Sequence, residues 1–286
     1  DELLNTNLFY GYTNGTPALR QRVADIYGPN ISIENVLITS GSAEANFLAV
    51  MTQLEAGDEI VYMVPNYLQI GHLARSFGIK VINLPIRQDL GWQWNLDELK
   101  ALVTPKTKMI CVCNPNNPTG ALMSDEVMVG VIEIAKEANC WILSDEVYRG
   151  AELDGNECRS FAGATDKTIV NASLSKAYSL PGLRLGWSVG SEEYINRAWS
   201  FHDFTVINVA YLSDWVASRI LEYDRRKKIL NRTKDHLKYN LNMLCDWAEN
   251  VPALTITRPQ AAAITFAKLN IPMSSEEFVF TLRDKY

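Results

Sequence analysis

An α/β fold built on a mostly parallel, doubly wound sheet covered by helices is what this sequence predicts. Three observations carry the prediction. Short apolar runs alternate with helical patterns, some runs are apolar at nearly every position as in strands buried on both faces, and turn-forming residues gather at their ends. The runs span residues 36–39, 59–64, 80–84, 108–113, 140–144, 168–172 and 185–190. A second, smaller α/β domain, incomplete in this sequence, is expected to follow.

Leu19, Val23 and Ile26 recur at helical spacing and predict the first helix. After the strand Val36-Leu37-Ile38-Thr39, the residues Ser40-Gly41-Ser42-Ala43 open a helical stretch through Glu44, Phe47, Leu48 and Met51. Such a strand-turn-helix points backbone N–H groups at an anion; it reads equally as an ordinary helix start capped by Ser40 or Ser42. Pro65-Asn66-Tyr67 closes the run 59–64. Asn95 and Glu98 form a capping pair before Leu99 and Leu102, and Ser124-Asp125-Glu126 starts a helix with the stripe Val127, Val131, Ile134 and Ala138. From Leu221 to Asn250 no Gly or Pro interrupts a charged and apolar mixture, which predicts one long helix. The expected division is residues 1–220 as a large domain and 221–286 as a connecting helix with part of a small domain that begins near Pro252.

Chemistry gathers at three strand ends. Ser173-Leu174-Ser175-Lys176-Ala177-Tyr178-Ser179-Leu180-Pro181-Gly182-Leu183-Arg184 offers one amine, hydroxyls and a guanidinium at short separations. Lys176 can form an imine with an aldehyde carbon, while Ser173, Ser175 and Arg184 can bond a phosphate dianion. A phosphorylated aldehyde suits that set, and pyridoxal phosphate is the obvious candidate; alone, the segment reads as well as a polar turn with a solvated lysine. Asp145 follows the apolar run Cys140-Trp141-Ile142-Leu143 at a strand end, where ligands gather in open α/β sheets. A carboxylate there can hold a pyridine nitrogen protonated, and Tyr148 can donate to the ring's 3-oxygen. The alternative has Asp145 as a helix cap and Tyr148 as packing. Asn114-Pro115-Asn116-Asn117-Pro118-Thr119-Gly120 is a rigid turn that can aim an amide, or simply a connection.

These segments, in this order, resemble the class I aminotransferase family of fold-type I pyridoxal-phosphate enzymes. The resemblance implies Lys176 as the Schiff-base lysine and base, Asp145 as the partner of the ring nitrogen, and Asn117 with Tyr148 on the 3-oxygen. It implies Arg184 and Ser173, with Ser175 alongside, and the amides of Ser42 and Ala43 as phosphate ligands, and Tyr67 as the aromatic on the ring face. The stretch Tyr10-Gly11-Tyr12-Thr13-Asn14-Gly15-Thr16-Pro17 is similar to a family segment whose tyrosine reaches the phosphate of the neighbouring subunit. A homodimer in which Tyr10 serves the neighbouring site is therefore expected. Expected substrates are an L-amino acid and a 2-oxo acid. Members continue to a late arginine that binds the substrate α-carboxylate; no residue here matches it, and Arg258 lies in a family-like stretch but not at that position.

Composition sets the outer bounds. With 47% apolar and 21% charged residues the chain is of ordinary globular usage, and a net charge of −6 argues against nucleic-acid or anionic-membrane partners. No run approaches about 18 uninterrupted apolar residues, and no secretory start is seen, so a cytoplasmic protein is expected. The five cysteines read as core thiols, and His72, His202 and His236 have no metal-site spacing, so no metal is expected.

Other readings share parts of these data. A lyase, decarboxylase or cyclase would use the same Lys176 and Asp145, and a sensor could hold the cofactor without turnover. From a different class, Gly186-Trp187-Ser188-Val189-Gly190 matches the nucleophile elbow of serine hydrolases, with His202 and His236 downstream. That motif needs a strand, a sharp turn and a helix around Ser188, whereas the segment reads better as a strand.

Overall fold

The computed structural model describes Asn5 and residues 7–286. Every apolar run is a strand: β1 (Val36–Thr39), β2 (Glu59–Val64), β3 (Lys80–Pro85), β4 (Thr107–Cys113), β5 (Trp141–Asp145), β6 (Thr168–Ser173) and β7 (Gly186–Val189). They form one sheet in the order β1-β7-β6-β5-β4-β2-β3. The sheet is parallel except for β7, which is antiparallel to both β6 and β1. The reversal has a local cause. Residues 174–185, between β6 and β7, contain only a short 3-10 turn, Pro181–Leu183, and a connection with no crossover helix returns the chain antiparallel.

Helices cover both faces. These are α1 (Pro17–Tyr27), α2 (Ser42–Gln53), α3 (Gln69–Ser76), α4 (Leu96–Leu102), α5 (Asp125–Glu137), α6 (Glu192–His202), α7 (Tyr211–Ile220) and α8 (Tyr223–Ala248). Thr16, Asn95, Ser124 and Ser191 cap α1, α4, α5 and α6 by accepting backbone N–H groups, so the starts fall where the capping residues stand. Strand residues alternate between two cores. Val36, Ile38, Val61, Ile110, Ile142 and Val170 pack with α1, α4, α5 and α8, whereas Leu37, Ile60, Met109, Leu143 and Ile169 pack with α2, α3 and α6. That two-residue alternation, with both sides apolar, is why these strands read as unbroken apolar runs.

The uninterrupted stretch after residue 221 is α8, 26 residues and so about 39 Å long. Beyond it lie a two-stranded antiparallel sheet, β8 (Leu254–Ile256) with β9 (Ala267–Leu269), and the helix α9 (Ser275–Lys285). The segment between β8 and β9 is pinned to the 114–120 turn, because Gln260 N and Ala261 N both donate to Gly120 O at 2.9 Å. Gly120 has φ +67°, and a Cβ there would stand 2.3 Å from Pro259 Cβ, so only glycine permits this approach. Among the described residues no helix is long and apolar enough to cross a membrane.

An ion-pair network fastens α8 to the sheet. Both terminal nitrogens of Arg226 donate to the Glu157 carboxylate at 2.6 and 2.7 Å, Arg149 lies 3.5 Å from it, and Arg226 Nε donates to Tyr178 Oη at 2.9 Å. Burial pushes the Glu157 carboxyl up, but the Arg226 hydrogen bonds and charge, with Arg149 and Lys234, hold it below the ordinary glutamate range. A depressed native value stabilises the fold fully above the unfolded value, about pH 4.3, and that contribution is lost as pH falls through the native value. Arg226→Met should therefore cost about 2 kcal/mol of unfolding free energy at pH 7, since it leaves a mostly buried carboxylate without its main partner. Urea unfolding of both proteins should show this gap closing on acidification below pH 4; a gap that stays constant would contradict the assignment.

Candidate active site

The chain runs from β2 outward to β3 and then returns to the other side of β2 with β4, so the loops after β2 and β4 diverge and leave a crevice at the strand ends. A cavity of about 210 Å³ lies there. Ser42, Ala43, Tyr67, Asn117, Asp145, Tyr148, Ser175, Lys176 and Arg184 all line it, joined by Gln69, Cys113, Val147 and Pro181.

At one end is the start of α2. Its N-cap is Gly41, with φ 86°, and no side chain caps the helix. The first amides, at Ser42 and Ala43, are thus left for a ligand, and the helix dipole favours a negative one. The Arg184 guanidinium lies against this turn: a Cβ on Gly41 would stand 2.7 Å from Arg184 Nη2. Glycine at 41 lets the loop take its backbone conformation and lets the cation approach. Helix amides, a guanidinium and the Ser175 hydroxyl together form a cradle for a dianion.

Asp145, also on the cavity lining, is 4% exposed at the end of β5. Its Oδ1 accepts from Val147 N at 3.2 Å and its Oδ2 from Asn46 Nδ2 at 3.1 Å. Burial pushes its carboxyl up, against the opposing pull of the Asn46 and Val147 hydrogen bonds and the Lys176 charge. Among the described residues no cationic group lies within ion-pair distance of it. Tyr148, 3% exposed, has its phenol pushed up to about 12, first by burial and then by Cys113 and Asp145, so it stays a hydrogen-bond donor at neutral pH.

The 114–120 turn divides its asparagines by task. Asn114 Oδ1 accepts from Met123 N at 2.9 Å, and Asn116 Oδ1 accepts from Thr119 N and Oγ1 at 3.2 and 2.7 Å. Those two hold the turn, and Asn117 is the one on the cavity wall. Lys176 is exposed to the cavity while Leu174, Ala177 and Tyr178 around it are buried, so its neighbours anchor the loop.

Two expected residues, Ser173 and Tyr10, stand elsewhere, as does Arg258. Ser173 is 1% exposed and does not line the cavity; its hydroxyl accepts from Ser175 N at 3.3 Å and supports the loop. Tyr10 is 81% exposed and outside the cavity. Arg258 is exposed and bonds Asn242. Ser188 is no elbow nucleophile: it sits inside β7, fully buried, donating to Asn171 Oδ1 at 2.6 Å, with Tyr194 Oη at 2.9 Å. Neither partner is a base. Sequence reasoning missed Asn46, Asn171 and Gln69. The signal for Asn46 was a lone amide among Ala45, Leu48 and Ala49 on the apolar face of α2.

Comparison with known proteins agrees with this geometry. The family described as aminotransferase class I and II matches residues 2–286. An aspartate aminotransferase of Pyrococcus horikoshii is 29% identical over 277 residues, 95% of this chain and 71% of the relative. The crystal structure of a PLP-dependent aminotransferase from Streptococcus suis is similar with TM-score 0.92 at 35% identity, covering 99% of this chain and 75% of that one. An alanine aminotransferase from Pyrococcus furiosus gives TM-score 0.90 at 26% identity over 98% and 74%. The chain belongs to the class I and II aminotransferase family, of the pyridoxal-phosphate-dependent type.

Proposed function

We propose that the cavity holds pyridoxal 5′-phosphate with its phosphate at the start of α2 and its ring nitrogen at Asp145, and that it moves an amino group from an L-amino acid to a 2-oxo acid. The observation that carries this reading is the pairing, in one cavity, of an exposed lysine with a buried carboxylate that lacks an ion-pair partner among the described residues. The residues fit the group. A protonated ring nitrogen would give Asp145 the positive charge its burial calls for, and the uncapped helix start with Arg184 suits the phosphate.

When bound, the cofactor supplies an electron sink for the pair left at the substrate's Cα. Asp145 would keep that sink charged by holding the ring nitrogen's proton. Asn117 and Tyr148 would donate to the 3-oxygen, and Tyr67 would cover the ring face. Lys176 would hold the cofactor through its amine, and the same Nζ, when free, would be the base for the proton at the substrate's Cα. One nitrogen thus serves as tether and base.

Within this reading residues 1–220 hold the cofactor, and residues 221–286 are the connecting helix and part of a smaller domain. A homodimer accords with the exposed apolar surface at Leu8, Phe9, Tyr10 and Tyr12, where the Phe9 ring packs tilted against Tyr211 at 4.7 Å between centroids. In such a dimer Tyr10 would serve the neighbouring cavity.

Two substitutions test the assignment. Lys176→Ala should lower turnover by at least about 10⁴-fold, the scale of a lost general base with its covalent anchor, and borohydride treatment of the loaded wild type should tag the peptide carrying Lys176. Turnover in the variant, or a tag elsewhere, would overturn the role. Asp145→Ala should still bind the cofactor yet slow Cα proton removal by about 10²-fold or more, in line with loss of an electrostatic group on the reacting system. Single-turnover absorbance with an amino-acid donor reads this directly, and an unchanged rate would refute the sink argument.

A further inference from the structure

Behind Asp145 a line of buried polar side chains crosses from α2 through β6 and β7 to α6. Asn46 Nδ2 donates to Asp145 Oδ2 at 3.1 Å, and Asn46 Oδ1 accepts from Asn171 Nδ2 at 2.9 Å. Asn171 Oδ1 accepts from Ser188 Oγ at 2.6 Å, and Ser188 Oγ lies 2.9 Å from Tyr194 Oη. Asn46, Asn171 and Ser188 have no exposed surface, and Tyr194 has 1%. Apolar side chains would fill these buried positions at lower desolvation cost, so the polar set calls for an explanation.

Its direction supplies one. An ionised carboxylate only accepts, so Asn46 must turn its Nδ2 towards Asp145. Its oxygen then faces Asn171, which must present its own nitrogen; the Asn171 oxygen in turn faces Ser188, whose hydrogen points to it. Ser188 is left with a lone pair for the Tyr194 hydroxyl. Every donor in the line points towards Asp145, and bonds so aligned polarise one another.

We propose that Asn46, Asn171, Ser188 and Tyr194 form a positioning relay that keeps Asp145 ionised and aimed at the cofactor's ring nitrogen. The proposal rests on the reading of Asp145 given above. The ionisable groups that face Asp145 from other elements are Lys176 on the β6–β7 connection, the Cys113 thiol at the end of β4, and the phenols of Tyr62 and Tyr148. Of these only Lys176 favours the carboxylate, and its amine is engaged in the reaction. Beside the Val147 amide, the relay is what the protein itself supplies to hold the charge.

Full-length protein loaded with ring-¹⁵N pyridoxal phosphate tests this, because the nitrogen's chemical shift reports its protonation across a pH titration. Asp145→Ala should leave the nitrogen unprotonated at neutral pH. Asn46→Ala should weaken its proton affinity about tenfold, the scale of one hydrogen bond to a charged group, and Ser188→Ala about threefold in the same direction. If the relay acts through Asn46, Ser188→Ala should have no further effect in the Asn46→Ala background, whereas a merely structural role would not give this loss of additivity. Ser188→Ala and Tyr194→Phe each delete a single oxygen, so they carry the test should Asn46→Ala fail to fold. A nitrogen still protonated in Asp145→Ala would overturn the reading of Asp145 and the relay with it. An unprotonated nitrogen there, combined with wild-type titration in Ser188→Ala and Tyr194→Phe or with a Ser188 effect that persists without Asn46, would overturn the relay alone.

Discussion

Asp145 keeps only 4% of its surface exposed, and a carboxylate so placed has lost nearly all its hydration, at a cost on the order of several kcal/mol. What compensates it decides much of the surrounding architecture. The backbone position is fixed by neighbours on both sides, since β5 pairs with β4 and β6 and Asn114 N donates to Asp145 O at 3.1 Å. Its side-chain partner Asn46 comes from α2, the same helix whose open start lines the cavity at Ser42 and Ala43. Ser42 and Asn46 lie four residues apart on one rigid rod, about 6 Å along its axis. In the proposed reading one helix therefore sets where both the phosphate and the carboxylate stand, and a shift in its register would misplace the two together.

The position of Lys176 has a different origin. Asp145 and Asn117 follow strands that run with the parallel set, whereas Lys176 sits on the return into the reversed strand β7. That return closes on itself: Leu174 N donates to Leu185 O at 3.0 Å, Leu180 N to Leu174 O at 2.9 Å, and Ala177 N to Val147 O at 3.4 Å. The last bond ties the lysine loop to the segment that carries Asp145 and Tyr148. Local backbone bonds and buried Leu174 and Tyr178 hold the loop, which leaves the Lys176 side chain free of structural duty.

How much of this could be read from the residues alone follows from which interactions are local. Six strands of the large sheet were legible because strands buried on both faces are apolar at successive positions, the edge strand β3, largely exposed, only through Val81, Ile82 and Leu84, and the long helix α8 because nothing interrupts it. The turn at 114–120 and the lysine loop announced themselves through proline, glycine and clustered polar groups. The direction of β7 did not, because orientation depends on a pairing that no single segment encodes. The polar line behind Asp145 escaped for the same reason: Asn46 and Asn171 are 125 residues apart, and Asn46 and Asp145 are 99. Ser188 shows how a local pattern is outweighed by its setting, since the Gly-x-Ser-x-Gly motif already read better as a strand, and β7 indeed holds the hydroxyl in the core. The buried Asn171 lay within an expected strand, where an amide among apolar residues is the trace of such a partner.

Two walls of the cavity are also braced from outside the sheet. Tyr178, two residues beyond Lys176, accepts from Arg226 of α8, and Ser179 Oγ lies 3.3 Å from Thr233 Oγ1 on the same helix. On the other side, the turn that bears Asn117 is held through Gly120 by Gln260 and Ala261. The large sheet and its helices place Asp145 unaided, but the lysine loop and the asparagine turn both take contacts from residues beyond 221. A rotation of α8 would be felt first at Tyr178 and Ser179, within three residues of Lys176, and only later in the sheet. The segment after residue 221 thus touches the lysine loop and the asparagine turn, whereas the Asp145 carboxylate takes its hydrogen bonds from Asn46 Nδ2 and Val147 N.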